Sequence, residues 1–537
     1  MKLFDGQKED IMINKTKSGI LNGVTGYLID IEVDISQGMP YFSIVGLAGT
    51  EVKESKERVR SAITNSGYLF PMKRIVVNLS PADLRKDASY LDLGICIGML
   101  RSKLNQDKDY FKKTAFLGEL SLDGTVKKMS GIISIAISLS KMGIENLYIP
   151  YNNYMECSQL ESINIIPIKS VKDCIKVVNM DKISFEKYMK NIKEEINNNV
   201  YKNKESKNKE NIAEEDFMFI KGNKIAKRCA EIAVAGGHNL LMIGPPGTGK
   251  TMIARAVKTI LPEVDKEESL EITQIYSSAS MLRENSTMVS KRPFRSPHHS
   301  STMISIIGGG ASASLGEITL AHKGVLFMDE LPEFPKKTIE ALRQPLEDRE
   351  INISRINRNV IYPADFIFLA TMNPCKCGYY NSKKTCTCSP SEVDRYRNKI
   401  SGPILDRIDL FCEVGEIDFD EYSKMNSFEE SSNEIKKRVD WARKIQKNRF
   451  SNLDISTNAQ MSSKEIESFC KLSSSGEEIA GIFFNKFHLS NRSYIRILKL
   501  ARTIADLSGK ENIDDKDIVE AFAYRKTYYK YFSREGY

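Results

Sequence analysis

The chain has 537 residues, 41% hydrophobic and 28% charged, which fits a soluble globular protein of roughly two to four domains. No apolar stretch is long enough to span a bilayer, and residues 1–10 lack the apolar core of a signal peptide, so we expect a cytoplasmic location. The 78 basic and 70 acidic residues leave a net charge of +8, which is compatible with a polyanionic partner but is no evidence for one.

The N-terminal region, residues 1–185, mixes predicted strands and helices. Residues 31–35 alternate apolar and acidic side chains like a half-buried strand, and the β-branched run at 75–79 predicts a more deeply buried one. A helix is predicted over residues 131–142, followed by a strand at 146–150. These elements predict an α/β domain.

Residues 186–215 form a polar boundary of mixed charge that is almost free of large apolar side chains. Such a composition buries too little apolar surface to order a segment. We therefore expect a flexible linker here, followed by a second domain.

A phosphate-binding loop is predicted between the apolar run at 240–243 and a helical segment at 252–257. Its residues are Gly244, Pro245, Pro246, Gly247, Thr248, Gly249, Lys250 and Thr251. The glycines let backbone N–H groups converge on a phosphate at a helix N-terminus. Lys250 would neutralise the β- and γ-phosphates, and the Thr251 hydroxyl would hold Mg²⁺, so ATP and Mg²⁺ are the expected cofactors.

Two further apolar strands end in polar residues suited to ATP hydrolysis. Residues 325–328 lead into Asp329, a candidate Mg²⁺ ligand through water, and Glu330, which could polarise the attacking water. Residues 366–371 precede Asn373, which could orient that water. A strand ending in an acidic turn is the less favoured alternative for the first pair, whereas a simple turn before proline carries about even weight for Asn373.

Arginines close the ATPase region and recur in the helical region that follows. Arg407 could stabilise charge on the γ-phosphate of a neighbouring subunit, or it could form a surface ion pair with Asp406 or Asp409. Arg492 and Arg496 raise the same question on a later predicted helix.

Four cysteines follow Asn373 closely. Cys375, Cys377, Cys386 and Cys388 lie within 14 residues and could bind Zn²⁺ as four thiolates. Their C-x-C spacing is tighter than that of most zinc sites, and a reduced loop without metal carries equal weight. The other six cysteines are scattered and fit core positions.

Longer strings identify a family. The run 291–299 (KRPFRSPHH), the glycines 308–310 and the run 316–322 (GEITLAH), which leads into the acidic strand, resemble the YifB/ComM type of magnesium-chelatase-like AAA+ ATPases. The resemblance covers nearly the whole chain. Where the family usually has prolines before the Gly-Glu pair, residues 311–315 read Ala-Ser-Ala-Ser-Leu.

The resemblance assigns roles to individual positions. Asn373 matches the first sensor, Arg407 the arginine finger that acts across a subunit interface, and Arg492 the second sensor on a C-terminal helical lid. Residues 308–320 match the helix-2 insert, a pore-facing hairpin in related motors. The adjacent histidines at 298–299 fit DNA or nucleotide-linked structural roles better than metal binding, because no second ligand cluster lies near them in sequence.

The N-terminal domain resembles the Lon protease domain, on residues 116–126 and the helix after them. Lon-type proteolysis needs a serine nucleophile activated by a lysine on that helix. The glycine-anchored match places Ile133 at the lysine position, which leaves Ser89 without an obvious base. We expect a protease-dead binding or assembly module.

The sequence therefore predicts an α/β chain with a Lon-like domain (1–185), a linker (186–215), an AAA+ core with a P-loop parallel sheet (216–412) and a helical lid (413–537). The expected function is an ATP-driven ring motor, most simply a hexamer, that holds single-stranded or branched DNA and has the helicase or branch-migration activity associated with ComM-type proteins. The ATPase subunit of a magnesium chelatase is one alternative, disfavoured because that subunit lacks a Lon-like domain. An ATP-regulated scaffold is another.

Overall fold

The computed structural model describes residues 13–86, 89–204, 215–282, 287–310, 314–355, 358–418 and 429–532. The chain divides into two compact units. The N-terminal unit consists of residues 1–209 together with 269–289, and the C-terminal unit of residues 210–268 together with 290–537. None of the described helices is both long and apolar enough to cross a membrane.

The N-terminal unit is built on a mixed sheet. Its elements up to the first long helix are β1 (Asn14–Asn22), β2 (Thr25–Ser36), β3 (Tyr41–Val45), α1 (Thr50–Asn65), β4 (Arg74–Ser80), α2 (Asp92–Met99), α3 (Lys108–Lys112), β5 (Thr114–Phe116), β6 (Glu119–Leu120), β7 (Val126–Lys127), α4 (Ile132–Lys141), β8 (Asn146–Pro150), α5 (Tyr154–Cys157), β9 (Asn164–Ile168), α6 (Val171–Val178) and α7 (Lys182–Lys204). Seven described strands form one sheet in the order β3-β4-β2-β1-β5-β8-β9. β2 lies antiparallel to β1 and β4, whereas β5, β8 and β9 run parallel.

The predicted elements of this unit are present. β2 alternates buried Ile31 and Val33 with acidic residues, as expected. β4 alternates as well, because Val76 and Asn78 between its buried residues are half-exposed, so this strand is less deeply buried than its sequence predicts. The predicted helix and strand at 131–150 correspond to α4 and β8.

The segment predicted as a flexible linker starts as a helix, since α7 continues to Lys204. Tyr188, Met189 and Ile192 of this helix pack against the apolar clusters of the unit, and they recur at the spacing of one helical face. Because these three apolar residues stand among many charged ones, the sequence pattern does not reveal the apolar face of this helix. Residues 205–214 lie outside the described residues, so the rest of the linker stays a prediction.

Residues 269–289 pack with the N-terminal unit although they follow the P-loop in sequence. They contain most of α10 (Lys266–Ser278). Leu270 packs on an apolar cluster with Ile132 and Leu147. Ser277 accepts a hydrogen bond from the Gly131 backbone at 3.0 Å and donates one to the buried Glu156 carboxylate at 2.8 Å. The sequence pattern gave no sign of this arrangement.

The C-terminal unit contains a parallel sheet. Its elements up to the last strand are α8 (Lys224–Gly236), β10 (Leu240–Ile243), α9 (Lys250–Ile260), β11 (Phe294–Arg295), α11 (Met303–Ile307), β12 (Gly308–Gly309), β13 (Ser314–Leu315), α12 (Glu317–Leu320), β14 (Val325–Met328), α13 (Lys336–Ala341), α14 (Arg343–Asp348), β15 (Glu350–Arg355), β16 (Arg358–Pro363), β17 (Ile367–Met372), α15 (Pro390–Arg397), α16 (Gly402–Leu405) and β18 (Leu410–Glu413). The described strands of the sheet run in the order β11-β14-β17-β10-β18, all parallel. β12 and β13 pair antiparallel within the predicted helix-2 insert.

A helical region completes this unit. It comprises α17 (Ser432–Arg449), α18 (Ser463–Phe469), α19 (Ser474–Lys486), α20 (Asn491–Leu507) and α21 (Asp515–Phe532). The sequence predicts a helical region here, and these five described helices form it. The buried Asp506 carboxylate accepts hydrogen bonds from Arg449 and Arg502, which ties α17 to α20.

Candidate functional site

The predicted phosphate-binding loop connects β10, whose residues are all buried, to α9. Gly247 and Gly249 have φ angles of +80° and +88°, in the left-handed region that favours glycine. Gly249 is the N-cap residue of α9, so the unpaired backbone N–H groups of this helix face the loop. The loop therefore has the conformation and the helix end that a phosphate group needs.

Lys250 is buried and its ammonium group is held at the mouth of the loop. Its Nζ donates hydrogen bonds to the carbonyl oxygens of Gly244 and Pro245, both at 2.7 Å, and to Oδ1 of Asn373 at 3.2 Å. Burial lowers the pKa of Lys250 to about 8, although the charges of Asp329 and Glu330 act in the opposite direction. The lysine and the predicted first sensor thus lie together.

The register of β14 and β17 brings the acidic residues to the same place. Met328 lies beside Ala370, so Asp329 comes next to Thr371. Asp329 accepts a hydrogen bond from Thr251 Oγ1 at 2.9 Å on one carboxylate oxygen and one from Thr371 on the other. Thr251 and Asp329 are hard oxygen donors, the type that Mg²⁺ prefers, so this pair fits the metal.

Glu330 has a left-handed backbone, with φ of +52°, and an exposed side chain. Its backbone N–H donates to Thr371 Oγ1 at 3.0 Å. Thr371 therefore orients both acidic residues, and sequence reasoning missed it. Its position at the end of a buried strand, two residues before Asn373, is the signal that could have revealed it.

Arg407 lies at the opposite edge of the sheet from the loop. β18 runs parallel to β10 in a register that pairs Leu410 with Leu240, and the backbone N–H of Asp409 donates to the Asn239 carbonyl just before β10. The loop follows the carboxyl end of β10, whereas Arg407 precedes the amino end of β18. The four residues of β10 separate the two by roughly 13 Å.

Arg407 is buried, and its guanidinium contacts the carboxylate of Glu347 and the carbonyl oxygen of Pro403. The predicted alternative, an ion pair with Asp406 or Asp409, is not what the described contacts show. Asp409 instead accepts a hydrogen bond from Arg496 at 2.7 Å. Glu347 is distant in sequence, so no local pattern indicated it.

The exposed Arg492 lies near the start of α20. Arg407, Arg492 and Arg496 line a common cavity of about 650 Å³. Among the described residues, none of the phosphate-binding loop lines this cavity. Arg407, the predicted arginine finger, and Arg492, the predicted second sensor, therefore lie together and apart from the Lys250 site.

The four clustered cysteines converge. Their sulfur atoms all lie within 4.8 Å of one another, and no other group of three or more histidine, cysteine or acidic side chains within the described ranges is arranged to hold a metal ion. His298 and His299 are exposed, and their ring centroids are 4.0 Å apart. Neither histidine belongs to the metal-binding group found among the described residues.

The predicted protease positions lie in the N-terminal unit. Ile133 is buried in α4 within an apolar cluster. Ser89 donates a hydrogen bond to the carboxylate of Glu119 on β6, a partner that sequence reasoning missed. The contact holds the hydroxyl but does not replace the amine that Lon chemistry uses as its base.

Comparisons with known proteins show the family of this chain. The family described as magnesium chelatase, subunit ChlI, matches residues 216–422, its C-terminal part matches 429–525, and a further model of the same subunit matches 31–153. The competence protein ComM of Haemophilus influenzae is 40% identical over 504 residues, which cover 94% of this chain and 95% of ComM. YifB of Escherichia coli is 39% identical over 511 residues, with the same coverage.

The N-terminal region is also similar to a protease. Lon protease of the Aster yellows witches'-broom phytoplasma is 26% identical over 191 residues, which cover 32% of this chain and 23% of the protease. The fold thus combines a Lon-like α/β region, a parallel P-loop sheet and a helical C-terminal region.

A P-loop sheet with a paired threonine and aspartate at its carboxyl edge defines an ATPase of the AAA+ class that uses ATP and Mg²⁺. Within that class, the chain belongs to the ComM/YifB type of magnesium-chelatase-like proteins.

The lowered pKa of Lys250 predicts that ATP binding weakens above neutral pH. With a pKa of about 8, rather than the ordinary 10.5, the lysine is mostly charged at about pH 7 and mostly neutral at about pH 9. Because the phosphates need the charged form, the apparent Kd for ATP should rise about tenfold over this range. Equilibrium titration with a fluorescent ATP analogue measures this. Lys250→Ala, the control, should bind weakly without that dependence, and a flat profile for the unaltered chain would contradict the prediction.

The N-terminal unit is predicted to have no peptidase activity, because Ile133 cannot accept the proton of Ser89. Incubation of the purified chain with ATP, Mg²⁺ and casein should give no cleavage above background on a gel. Ser89→Ala is the matched control. Cleavage by the unaltered chain that this substitution abolishes would show that Glu119 or another group supplies the base.

Proposed function

We propose that the chain is a cytoplasmic, ATP-hydrolysing ring motor that acts on DNA, the function that its resemblance to ComM-type proteins implies. The observation that carries the proposal is the separation of the two halves of the ATP machinery. One edge of the sheet bears the nucleotide-binding side chains. The other edge bears Arg407 and Arg492, which lie away from the phosphate-binding loop of the same chain.

The nucleotide half has four parts with distinct roles. Lys250 neutralises the β- and γ-phosphates, and Asn373, which already contacts Lys250, positions the attacking water. Thr251 and Asp329 hold Mg²⁺, which when bound neutralises phosphate charge. Glu330 takes the proton from the water, and its exposed carboxylate has the access to solvent that this requires.

In this proposal, Arg407 and Arg492 complete the ATP site of a neighbouring subunit. Arg407 cannot reach its own nucleotide across the length of β10, so it supplies charge to the γ-phosphate of the adjacent subunit. Arg492 shares its cavity and acts from the same side as the second sensor. Every subunit then offers a binding edge and an arginine edge. Repetition of such a heterologous contact closes a ring, for which we propose a hexamer.

DNA is the proposed substrate of the motor. The similarity to ComM extends over nearly the full length of both chains, so the two share both units rather than the ATPase alone. The surplus of basic residues suits a polyanion held mainly through its phosphates, in single-stranded or branched form, which predicts binding that weakens with salt. The N-terminal unit would serve as a binding or assembly module.

A magnesium-chelatase ATPase subunit is the second candidate. Family models that carry the name of that subunit match both units, including residues 31–153. The Lon-like unit therefore does not by itself distinguish the two functions, contrary to the sequence-based argument. Stimulation of ATP turnover by a porphyrin substrate rather than by DNA would favour the chelatase.

DNA should raise the ATPase rate of the purified chain several-fold. The measurement is phosphate release with no DNA and with single-stranded, duplex and branched DNA at two salt concentrations. Lys250→Ala should lose nucleotide binding, whereas Glu330→Gln should bind ATP and hydrolyse it very slowly. A rate that none of the DNA forms alters, in a chain that both controls show to be a working ATPase, would leave the scaffold as the better proposal.

Arg407→Ala should retain ATP binding and lose most hydrolysis, by about 10³-fold, the effect expected of an arginine finger. Mixed with Lys250→Ala chains, it should recover part of the activity, because some interfaces then pair an intact loop with an intact arginine. Arg395→Ala, which removes an exposed arginine of α15, is the matched control and should stay active. Full activity of a strictly monomeric Arg407→Ala preparation would contradict the ring.

A further inference from the structure

The loop that follows Asn373 brings four sulfur atoms into a compact group. Sγ of Cys375 lies 3.4 Å from Sγ of Cys377 and 3.7 Å from Sγ of Cys386, and the latter two are 3.5 Å apart. Sγ of Cys388 lies 3.4 Å from the backbone nitrogen of Cys377. All four cysteines are free thiols rather than disulfides.

These spacings fit one tetrahedral metal ion. With a Zn–S distance of about 2.3 Å, the sulfur atoms of a ZnS₄ tetrahedron are about 3.8 Å apart, close to the observed separations. A disulfide would need about 2.05 Å. An iron–sulfur cluster spreads its cysteines over several iron atoms, which these short separations do not allow. We infer that Cys375, Cys377, Cys386 and Cys388 bind a single Zn²⁺ ion.

The composition of the loop supports this inference. Between the outer cysteines, the described chain forms no helix or strand, and Tyr379 and Tyr380 are its only large apolar side chains. The loop has no aliphatic core that could fix it. A structural zinc ion supplies the missing cross-link, as it does in small domains that cannot fold without metal.

The charges near the site are also appropriate. Zn²⁺ with four thiolates carries a net negative charge, which needs nearby cations. Lys376 and Lys384 belong to the loop and are exposed, whereas Lys383 is paired with the carboxylate of Asp418.

The position of the site connects it to the ATPase machinery, a step that rests on the proposed function. Cys375 follows Asn373 by two residues, and the intervening Pro374 carbonyl accepts a hydrogen bond from Arg397 Nε at 3.0 Å. On the other side, Gly378 adopts φ of +90° and packs so closely on the phosphate-binding loop that an added Cβ would lie 2.7 Å from Cδ of Pro246.

The other end of the loop is equally anchored. Cys388 is followed by Ser389, which caps α15 with a reciprocal pair of hydrogen bonds to Glu392. A metal ion would therefore fasten the start of α15 to the end of β17. In this way the zinc site would position Asn373 and support Pro246 without contacting nucleotide.

Metal content tests the site independently of any activity. Full-length chain purified under reducing conditions without chelators should contain about one Zn²⁺ per chain by elemental analysis. The Cys377→Ser, Cys386→Ser double variant should contain almost none. Cys470→Ala, which alters a buried cysteine outside the cluster, should retain the full content. Zinc in the unaltered chain at or below the level of the double variant would overturn the inference, and so would stoichiometric iron.

Cobalt substitution covers the case in which the double variant fails to fold. Replacement of the native metal by Co²⁺ in the unaltered chain should give the intense visible absorption of tetrahedral thiolate coordination, and titrated Zn²⁺ should abolish it. Pale, octahedral-type absorption, or none, would show that the thiolates do not form the site.

Kinetics test the positioning role. If the ion acts through Asn373, the zinc-site double variant should lose ATP turnover by about ten- to hundredfold, the usual effect of a group that orients a functional residue. In an Asn373→Ala background, the same double substitution should cost little more, because the two act on one step. Additive losses would overturn the positioning role. Bound zinc in a chain without ATPase activity would disprove the proposed function and leave the metal site intact.

Discussion

The parallel packing of β10 between β17 and β18 is the constraint on which the rest of the site depends. Because the three strands share one direction, every residue after a carboxyl end lies at one edge of the sheet and every residue before an amino end lies at the other. The phosphate-binding loop, Asp329 and Asn373 follow strand ends. Arg407, in contrast, precedes the amino end of β18. The direction of the strands therefore decides which residues lie at each edge of the sheet, before any side chain is considered.

The arginine edge is stabilised by a buried network of charge. His238 and Arg496 face Asp409 and lower its pKa well below the ordinary value, although burial alone would raise it. The carboxylate is therefore ionised throughout the physiological range and attaches α20 to the start of β18. This attachment fixes where the helical region presents Arg492. The contact between Arg407 and Glu347 is a different case, because the side chain of Glu347 is 56% exposed.

The sequence was informative where function depends on consecutive residues. The loop at 244–251, the acidic pair and the buried strands before them could all be predicted, since each is a local pattern of apolar and polar residues. Contact partners that are distant in sequence could not be predicted. Thr371, Glu347 and Glu119 contact predicted residues only because the fold brings separate elements together, and hydrogen-bonding side chains of these types are common everywhere. Likewise, the cysteine sequence left a zinc site and a reduced loop with equal weight, because the distances between the sulfur atoms depend on how the loop folds.

The docking of residues 269–289 in the N-terminal unit has a consequence for how the chain can be divided. The polypeptide passes between the two units at three places rather than one, so no single cleavage separates them. A truncated chain that begins after residue 209 would keep Leu270 and Ser277 but lose Gly131, Glu156 and the apolar cluster that covers them. The apolar side chains of α10 would then be exposed and would promote self-association. A truncation meant to isolate the ATPase unit would therefore have to remove residues 269–289 as well.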